Sequence, residues 1–354
     1  MSILITLLIL SLIILVHELG HFFACRKTGV LVEEFAMGLG PVLWSVKPKE
    51  TKYSLRLFPI GGFCKMSGED ITEADADILT AENSFFAKSI PKRVIVLMAG
   101  SLMNFALAFV ILFVVFMLNG FIAPVIEEIL PGFPAEAAGL MPGDRIIKIN
   151  DYRVYINDDL SFALNDVKDE VFDVTVRRGG KRITVTARME TDTETNRKLL
   201  GIVRKSKTGL FGEDSINIFE GLYQAFFQIV SIVRTTCVML IRMLHTGFSA
   251  DAFAGPVGLA AMVGEVYNET AAISPFAVIV TMAGVLAFIS VSIGMVNLFP
   301  LPALDGGRLI FIFIEALTKK RVPPEKEAIV HLAGFVIFII LAALIAVKDY
   351  RTFY

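Results

Sequence analysis

The chain has 354 residues, 55% of them hydrophobic, and a formal net charge of −2. Soluble domains average about 45–50% apolar residues, so the excess asks for apolar runs of membrane-spanning length, about 20 residues each. The near-neutral balance excludes nucleic acid or a strongly charged partner as a bulk target, and three cysteines (Cys25, Cys64, Cys237) exclude a disulfide framework or a cysteine zinc cluster and read as unpaired structural thiols.

Residues 1–24 form a first transmembrane helix, with its apolar run from Ile3 to Ala24. Nothing basic precedes Arg26, so the segment lacks the basic n-region of a cleaved signal peptide. Arg26 and Lys27 follow it, which puts the N-terminus outside and residue 26 in the cytoplasm. Inside the span lies His17-Glu18-Leu19-Gly20-His21. Residues i and i+4 share a helix face, so both histidines can reach one metal ion, and Glu18 is placed to take a proton from water. Ionisable groups in lipid are costly and mark function. The competing reading, two histidines bonded to neighbouring helices, leaves that placement unexplained. His17 is about 21 Å into a hydrocarbon core of about 30 Å, so the metal sits within the membrane, nearer the cytoplasmic side.

Residues 25–93 are mixed. Phe35 to Pro41 is apolar and glycine-punctuated, and Thr51 to Phe58 alternates as a strand into Pro59-Ile60-Gly61-Gly62-Phe63-Cys64-Lys65-Met66. Such pieces beside an embedded site suggest a β-hairpin dipping into the bilayer, tolerated where protein covers it or it lines a wet cavity; an ordinary cytoplasmic hairpin is the alternative. Glu69 to Glu82 is acidic and reads as a solvated loop, and Lys88, Lys92 and Arg93 mark the cytoplasmic side of the next span. Residues 94–118 are that second span. It carries Gly100 and Asn104 on one face, where helix packing and a role at the site both stay open.

Residues 122–203 change character to a compact, charged α+β unit outside the membrane. Strands are expected over Val125–Ile129 and from Arg145, a short helix near Pro134, a helix over Leu160–Lys168, a pair Val171–Val176 with Ile183–Ala187, and a last strand over Leu199–Val203. The polar run Thr191 to Lys198 is its exit loop. Residues 215–250 hold a helix, Ile218–Leu244, with one apolar face and two arginines, Arg234 and Arg242; it reads as an interfacial amphipathic helix rather than a span. His245 reads as a surface residue. Residues 255–307 begin with Gly255-Pro256-Val257-Gly258, form the third span, and break at Asn297-Leu298-Phe299-Pro300-Leu301-Pro302-Ala303-Leu304-Asp305-Gly306-Gly307. Broken helices at membrane depth recur at ion and substrate sites, and Asp305 is the natural third ligand for the His17/His21 metal. Residues 308–328 read as a cytoplasmic loop and 329–347 as the fourth span, with His331 structural.

The His-Glu-x-x-His of the first span and the Asn297–Gly307 segment together resemble the site-2 protease family of intramembrane zinc metalloproteases, most of all its bacterial regulator-of-sigma-E branch. Pro59-x-Gly61-Gly62-Phe63-x-Lys65-Met66 is similar to that family's re-entrant β-loop. Pro131-Gly132 and Gly139-Leu140-x-Pro142-Gly143-Asp144 resemble markers of a PDZ domain, present once here where some members carry two. Ser101 stands where the family's second helix usually has proline. The resemblance implies Zn2+ held by His17, His21 and Asp305, Glu18 as base, and Asn297 near the substrate.

The expected architecture is a polytopic α-helical membrane protein with about four transmembrane helices, a re-entrant β-hairpin and one extracytoplasmic PDZ-like domain, set in a bacterial inner membrane. The expected activity is cleavage of single-span membrane proteins in regulated intramembrane proteolysis, such as anti-sigma factors or remnant signal peptides. Gly61, Gly62 and Phe63 would hold the unwound peptide by backbone pairing, and the PDZ-like unit would take a peptide ligand or filter substrates by size. The rival expectation is a membrane-anchored PDZ scaffold with a structural metal.

Overall fold

A computed structural model describes residues 2–68, 81–191, 198–210, 212, 214–246 and 255–353. The acidic stretch expected as a loop lies outside them except for residues 81–82, as does most of the exit loop, residues 192–197. Two compact units emerge, residues 1–108 with 242–354, and residues 109–241.

The first unit opens with helix α1 (Ser2–Thr28) and a long antiparallel hairpin, β1 (Val32–Val46) with β2 (Lys52–Met66). The root of the hairpin is buried: Val32, Phe35, Cys64 and Met66 pack with Phe22 and Cys25 of α1 and with Val96 and Leu97 of the next helix. Its far end is not. Leu39, Leu43, Trp44, Leu57 and Phe58 are 48–61% exposed, a concentration of apolar surface that water does not favour. Gly38 makes the bend possible, because at its φ of +85° any Cβ would meet the Phe58 carbonyl at 2.5 Å. Helix α2 (Ile90–Asn119) follows. It runs unbroken through Ser101, and Gly20 of α1 packs directly on its backbone at Ala99 and Gly100.

The second unit is built on an antiparallel sheet. Strand β3 (Phe121–Ile129) leads to the short helix α3 (Pro134–Ala137), then β4 (Arg145–Ile149), β5 (Tyr152–Arg153), helix α4 (Asn157–Asp166), and the hairpin β6 (Val171–Arg178) with β7 (Lys181–Arg188). A small pair, β8 (Glu190–Thr191) with β9 (Lys198–Leu199), precedes β10 (Ile202–Lys207). The order is β10-β3-β4-β6-β7, with β5 on β4. One face of the sheet carries the core: Ile126, Ile146, Ile149, Val174 and Val176 are at most 1% exposed and close over Leu160 of α4. The other expected strands and the short helix form, the helix expected over Leu160–Lys168 runs from Asn157 to Asp166, and the strand expected over Leu199–Val203 is split at Leu200 and Gly201 between β9 and β10, the latter extending to Lys207.

Helix α5 (Ile218–Thr246) then packs its polar side on α4: Gln228 donates to Asp158 at 2.6 Å, Ser231 donates to buried Asp159 at 2.6 Å, and Arg234 pairs with Asp159. Phe227 stacks on Tyr155 at 4.5 Å, whereas Ile218, Phe219 and Phe226 are 54–82% exposed.

The first unit resumes with α6 (Pro256–Ala271), α7 (Pro275–Asn297), α8 (Asp305–Thr318) and α9 (Pro324–Phe353). The Gly255–Gly258 motif has a structural use. Asp349, near the end of α9, accepts from the Gly255 and Gly258 N–H groups at 2.7 and 2.9 Å and so caps α6. The reading of 308–328 as a loop is corrected: α8 runs to Thr318, because apolar residues continue at helical spacing through buried Ile312 until Lys319 turns left-handed at φ +55°. Arg93, 2% exposed, bonds Glu315 of α8 at 2.7 Å, tying the start of α2 to the end of α8.

Among the described residues, five helices are long and apolar enough to cross a membrane: α1, α2, α7, α9 and the 218–243 part of α5. The last is the helix expected at the interface. By length and composition it qualifies as well.

Candidate active site

Three elements deliver the site. The apolar first turns of α1 carry His17 and His21 to a buried level, 7% and 5% exposed. Four residues apart, they meet edge to face on one side of the helix with ring centroids 4.8 Å apart. The break after α7 turns the chain so that Asp305, 288 residues beyond His17, opens α8 against them. Asp305 Oδ2 lies 3.1 Å from His17 Nε2 and 3.2 Å from His21 Nε2, and the two Nε2 atoms are 3.1 Å apart. Three electron-pair donors converging in this way form a donor set suited to a cation. A tetrahedral ion with bonds of about 2.0–2.1 Å spaces its ligands about 3.3 Å apart, so this donor set fits zinc in size and in chemistry.

The surroundings settle which nitrogens face inward. His21 Nδ1–H donates to the Val96 carbonyl of α2 at 2.9 Å, which turns Nε2 toward Asp305. His17 Nδ1 is 3.5 Å from Asn104 Nδ2, while Asn104 Oδ1 is buried without a partner. Turning that amide over exchanges the two atoms and gives the oxygen the His17 Nδ1–H. With the amide so turned Asn104 would orient His17, and Gly100, one turn earlier, lets α2 approach: a Cβ there would sit 2.5 Å from His21 Nε2 and 2.6 Å from His17 Nε2.

A cleft of about 640 Å³ opens beside the cluster. Glu18, Phe63 of β2 and Asn297 at the end of α7 all line it. Gly62 faces Glu18, with a Cβ there 3.9 Å from Glu18 Cγ. Gly61 does not line the cleft; its φ of +81° bends β2 beside Leu39. Two lining residues went unforeseen. Glu34 of β1 accepts from Arg56 of β2 at 2.8 Å, and the Arg56 guanidinium lies 4.8 Å over the Phe63 ring. Opposite charges on facing strands, Glu33 and Glu34 on β1 with Lys52, Arg56 and Lys65 on β2, were the signal for them. His331 is structural, as expected: its Nδ1 accepts from the Ala303 N–H at 2.9 Å and holds the turn ahead of Asp305, where Ala303 sits at φ +71°.

Comparison with known proteins agrees with this geometry. Residues 5–341 match Peptidase family M50. The chain belongs to that family. The M50 peptidases are the site-2 proteases, so the resemblance drawn from the motifs holds, and the chain is a metallopeptidase and a multi-pass membrane protein. A Clostridium acetobutylicum protein with a provisional zinc-metalloprotease name is 33% identical over 348 residues, 98% of this chain and 97% of that protein. The zinc metalloprotease RasP of Geobacillus kaustophilus is 29% identical over 431 aligned residues, 100% of this chain and 98% of its own. The regulator of sigma-W protease RasP of Bacillus subtilis is 27% identical, with 97% of this chain and 96% of its own covered. The zinc in these names is the metal the donor set fits.

Proposed function

We propose that this M50 peptidase is a zinc endopeptidase that cuts the transmembrane segments of single-span membrane proteins, with His17, His21 and Asp305 as zinc ligands and Glu18 as general base. The observation that carries the reading is the convergence of three ligand atoms from α1 and α8 beside a carboxylate that lines an open cleft. Among the described residues no fourth His, Cys, Asp or Glu joins the cluster. A structural zinc would be closed by four protein ligands; a catalytic one keeps a position open.

Zinc, when bound, supplies Lewis acidity that polarises the scissile carbonyl and makes water easier to deprotonate. Glu18 takes the proton of the attacking water and returns it to the leaving amine. A helical substrate hides its carbonyls, so it must unwind first. Strand β2 pairs only with β1 among the described residues, and its Phe63–Met66 stretch lines the cleft, so it can hold the unwound peptide by main-chain pairing. Asn297 then meets a substrate backbone group. The exposed apolar end of the hairpin supports its position in lipid.

Residues 122–203 read as a PDZ-like domain on the extracytoplasmic side of a bacterial inner membrane, supported by the antiparallel sheet and its two helices. The four-span reading has support as well. Helices α1 and α2 run antiparallel, since His21 meets Val96 and His17 meets Asn104. Ser2 therefore lies at the outer side, where Gly264 of α6 packs on it. The start of α5 is held at the outer end of α2, where Gly221 meets Met117. An interfacial α5 would keep its other end on that same side. The substrates we infer are membrane-anchored anti-sigma factors or remnant signal peptides; the sigma-W regulator among the relatives points to the first.

The test uses purified full-length protein in detergent with a single-span substrate, with and without chelator. Glu18→Gln should keep stoichiometric zinc and lose cleavage by roughly 10²-fold or more. A variant that cleaves like the wild type removes Glu18 from its role. If neither protein cleaves while both hold zinc, the scaffold reading replaces this one.

A further inference from the structure

The near-neutral bulk charge conceals a strongly basic cleft in the 109–241 unit. On the sheet face opposite its core, Arg145, Arg177 and Arg182 stand in register across β4, β6 and β7. Neighbouring strands are about 4.8 Å apart, so three like charges are held within about 10 Å, an arrangement that costs stability. The bulge between Ile146 and Lys148 turns Lys148 onto the same face, directly opposite Arg153 of β5. Lys205 and Lys207 of β10 close the row from the other side. All seven line one cleft of about 940 Å³ that runs under the first turn of α5.

The acids nearby do not neutralise it. Asp214 pairs with Lys205 and Lys207, Glu220 with Lys207, and Asp151 with Lys148. Arg153, Arg177 and Arg182 have no carboxylate partner among the described residues. A self-repelling row of exposed guanidiniums is the expected form of a site for an anion carrying phosphate.

The rim of the cleft says where that phosphate comes from. Phe121 lines it two residues after α2 ends at Asn119. Gly120 packs against the Lys207 carbonyl, and the Leu210 N–H donates to the Met117 carbonyl at 2.9 Å, so the basic end of β10 is fastened to the mouth of the span. Phe219, 82% exposed, and Tyr223 stand on the other lip. Cations inside, aromatic rings at the edge and a membrane helix ending beneath them are the chemistry of the headgroup layer.

We infer that this cleft binds the phosphate headgroup of an anionic phospholipid in the outer leaflet and seats the outer domain on the bilayer. The inference uses nothing of the zinc site and stands or falls apart from it.

The experiment takes full-length protein in dodecyl maltoside micelles doped with phosphatidylglycerol or phosphatidylcholine and counts bound lipid by native mass spectrometry. Wild-type protein should retain phosphatidylglycerol over phosphatidylcholine. The combined Arg153→Gln, Arg177→Gln, Arg182→Gln variant should lose that preference by roughly tenfold or more, the scale of basic residues at an anionic surface. Its unfolding midpoint should equal or exceed the wild type's, because the row repels itself. Should that variant fail to fold, the three Arg→Lys changes keep the charge and should keep the preference; losing it would overturn the idea. So would equal retention of both lipids by the wild type, or an unchanged preference in the Gln variant. Displacement of the lipid by millimolar glycerol 1-phosphate would make the site one for free phosphate, and displacement by a deca-glutamate peptide would make it an acidic-peptide site. Either result ends the lipid assignment.

Discussion

Gly100 is where α2 comes closest to the two histidines, and it has no room for even a methyl group. In a helix Gly→Ala ordinarily adds up to about 1 kcal/mol of stability. Here Gly100→Ala should hold its melting point and yet carry far less than one zinc per chain, since the added carbon would press on both Nε2 atoms proposed to bind it. Asn104→Ala should weaken zinc by about 10–100-fold, the usual cost of losing a group that orients a ligand. Metal analysis and chelator competition read both effects without any substrate. Full zinc in Gly100→Ala protein would mean that α2 can retreat and that the close contact is incidental. Both residues were visible in the sequence as one face of a span, but a choice between packing and chemistry needed the His17 and His21 rings to be in place beside them.

The turn from α3 into β4 depends on one ion pair. Asp144 is fully buried; both its oxygens accept from Arg178 at 2.7 Å, and Oδ2 also accepts from the Met141 N–H at 3.0 Å. Burial by itself would raise the Asp144 carboxyl, but the Arg178 hydrogen bonds, the Met141 N–H and the guanidinium charge outweigh it and hold the carboxyl below the usual carboxylate range. A depressed folded value gives stability that is present above the unfolded value of about 3.9 and is lost as pH falls through the folded one. Thermal unfolding of the 109–241 unit in the full-length protein should therefore show a midpoint that falls as pH drops below about 4. Asp144→Asn should lower the midpoint at neutral pH by roughly 5–10 °C and flatten part of that acid dependence. An acid profile identical in the two proteins would assign the fall to other carboxylates. Gly143-Asp144 was legible as a turn; that Arg178, from the far hairpin, completes it was not, because that pairing depends on strand order.

For the whole chain, the side on which α5 lies decides the span count. Phe219, near its start, is 82% exposed, and His245, near its end, is exposed too. In a Cys237→Ser background, Phe219→Cys and His245→Cys should both react with a membrane-impermeant maleimide applied outside intact cells. Reaction at Cys-substituted 219 alone would make α5 a span and give five crossings. Composition could not separate these outcomes, since an apolar helix with two arginines suits either. What favours the interface is contact: Gln228, Ser231 and Arg234 are engaged with Asp158 and Asp159 of α4, so the polar side that would be costly in lipid is already satisfied within the 109–241 unit.

By itself the sequence determined the His-Glu-x-x-His motif, the apolar runs of α1, α2, α7 and α9, the α+β character of residues 122–203 and the membership in the site-2 proteases. Those properties are local: helical spacing joins His17 to His21, apolar runs reveal length, and an ionisable cluster in lipid is too costly to be idle. Only the tertiary structure decided which lone pairs of His17 and His21 face Asp305, that Glu34 and Arg56 border the cleft, that α8 continues as a helix to Thr318, and that three arginines share one row. Each of those depends on helix approach or strand register, where a shift of one residue turns a side chain to the opposite face. Such placement is set by packing between segments far apart in the chain, and no local pattern of residues encodes it.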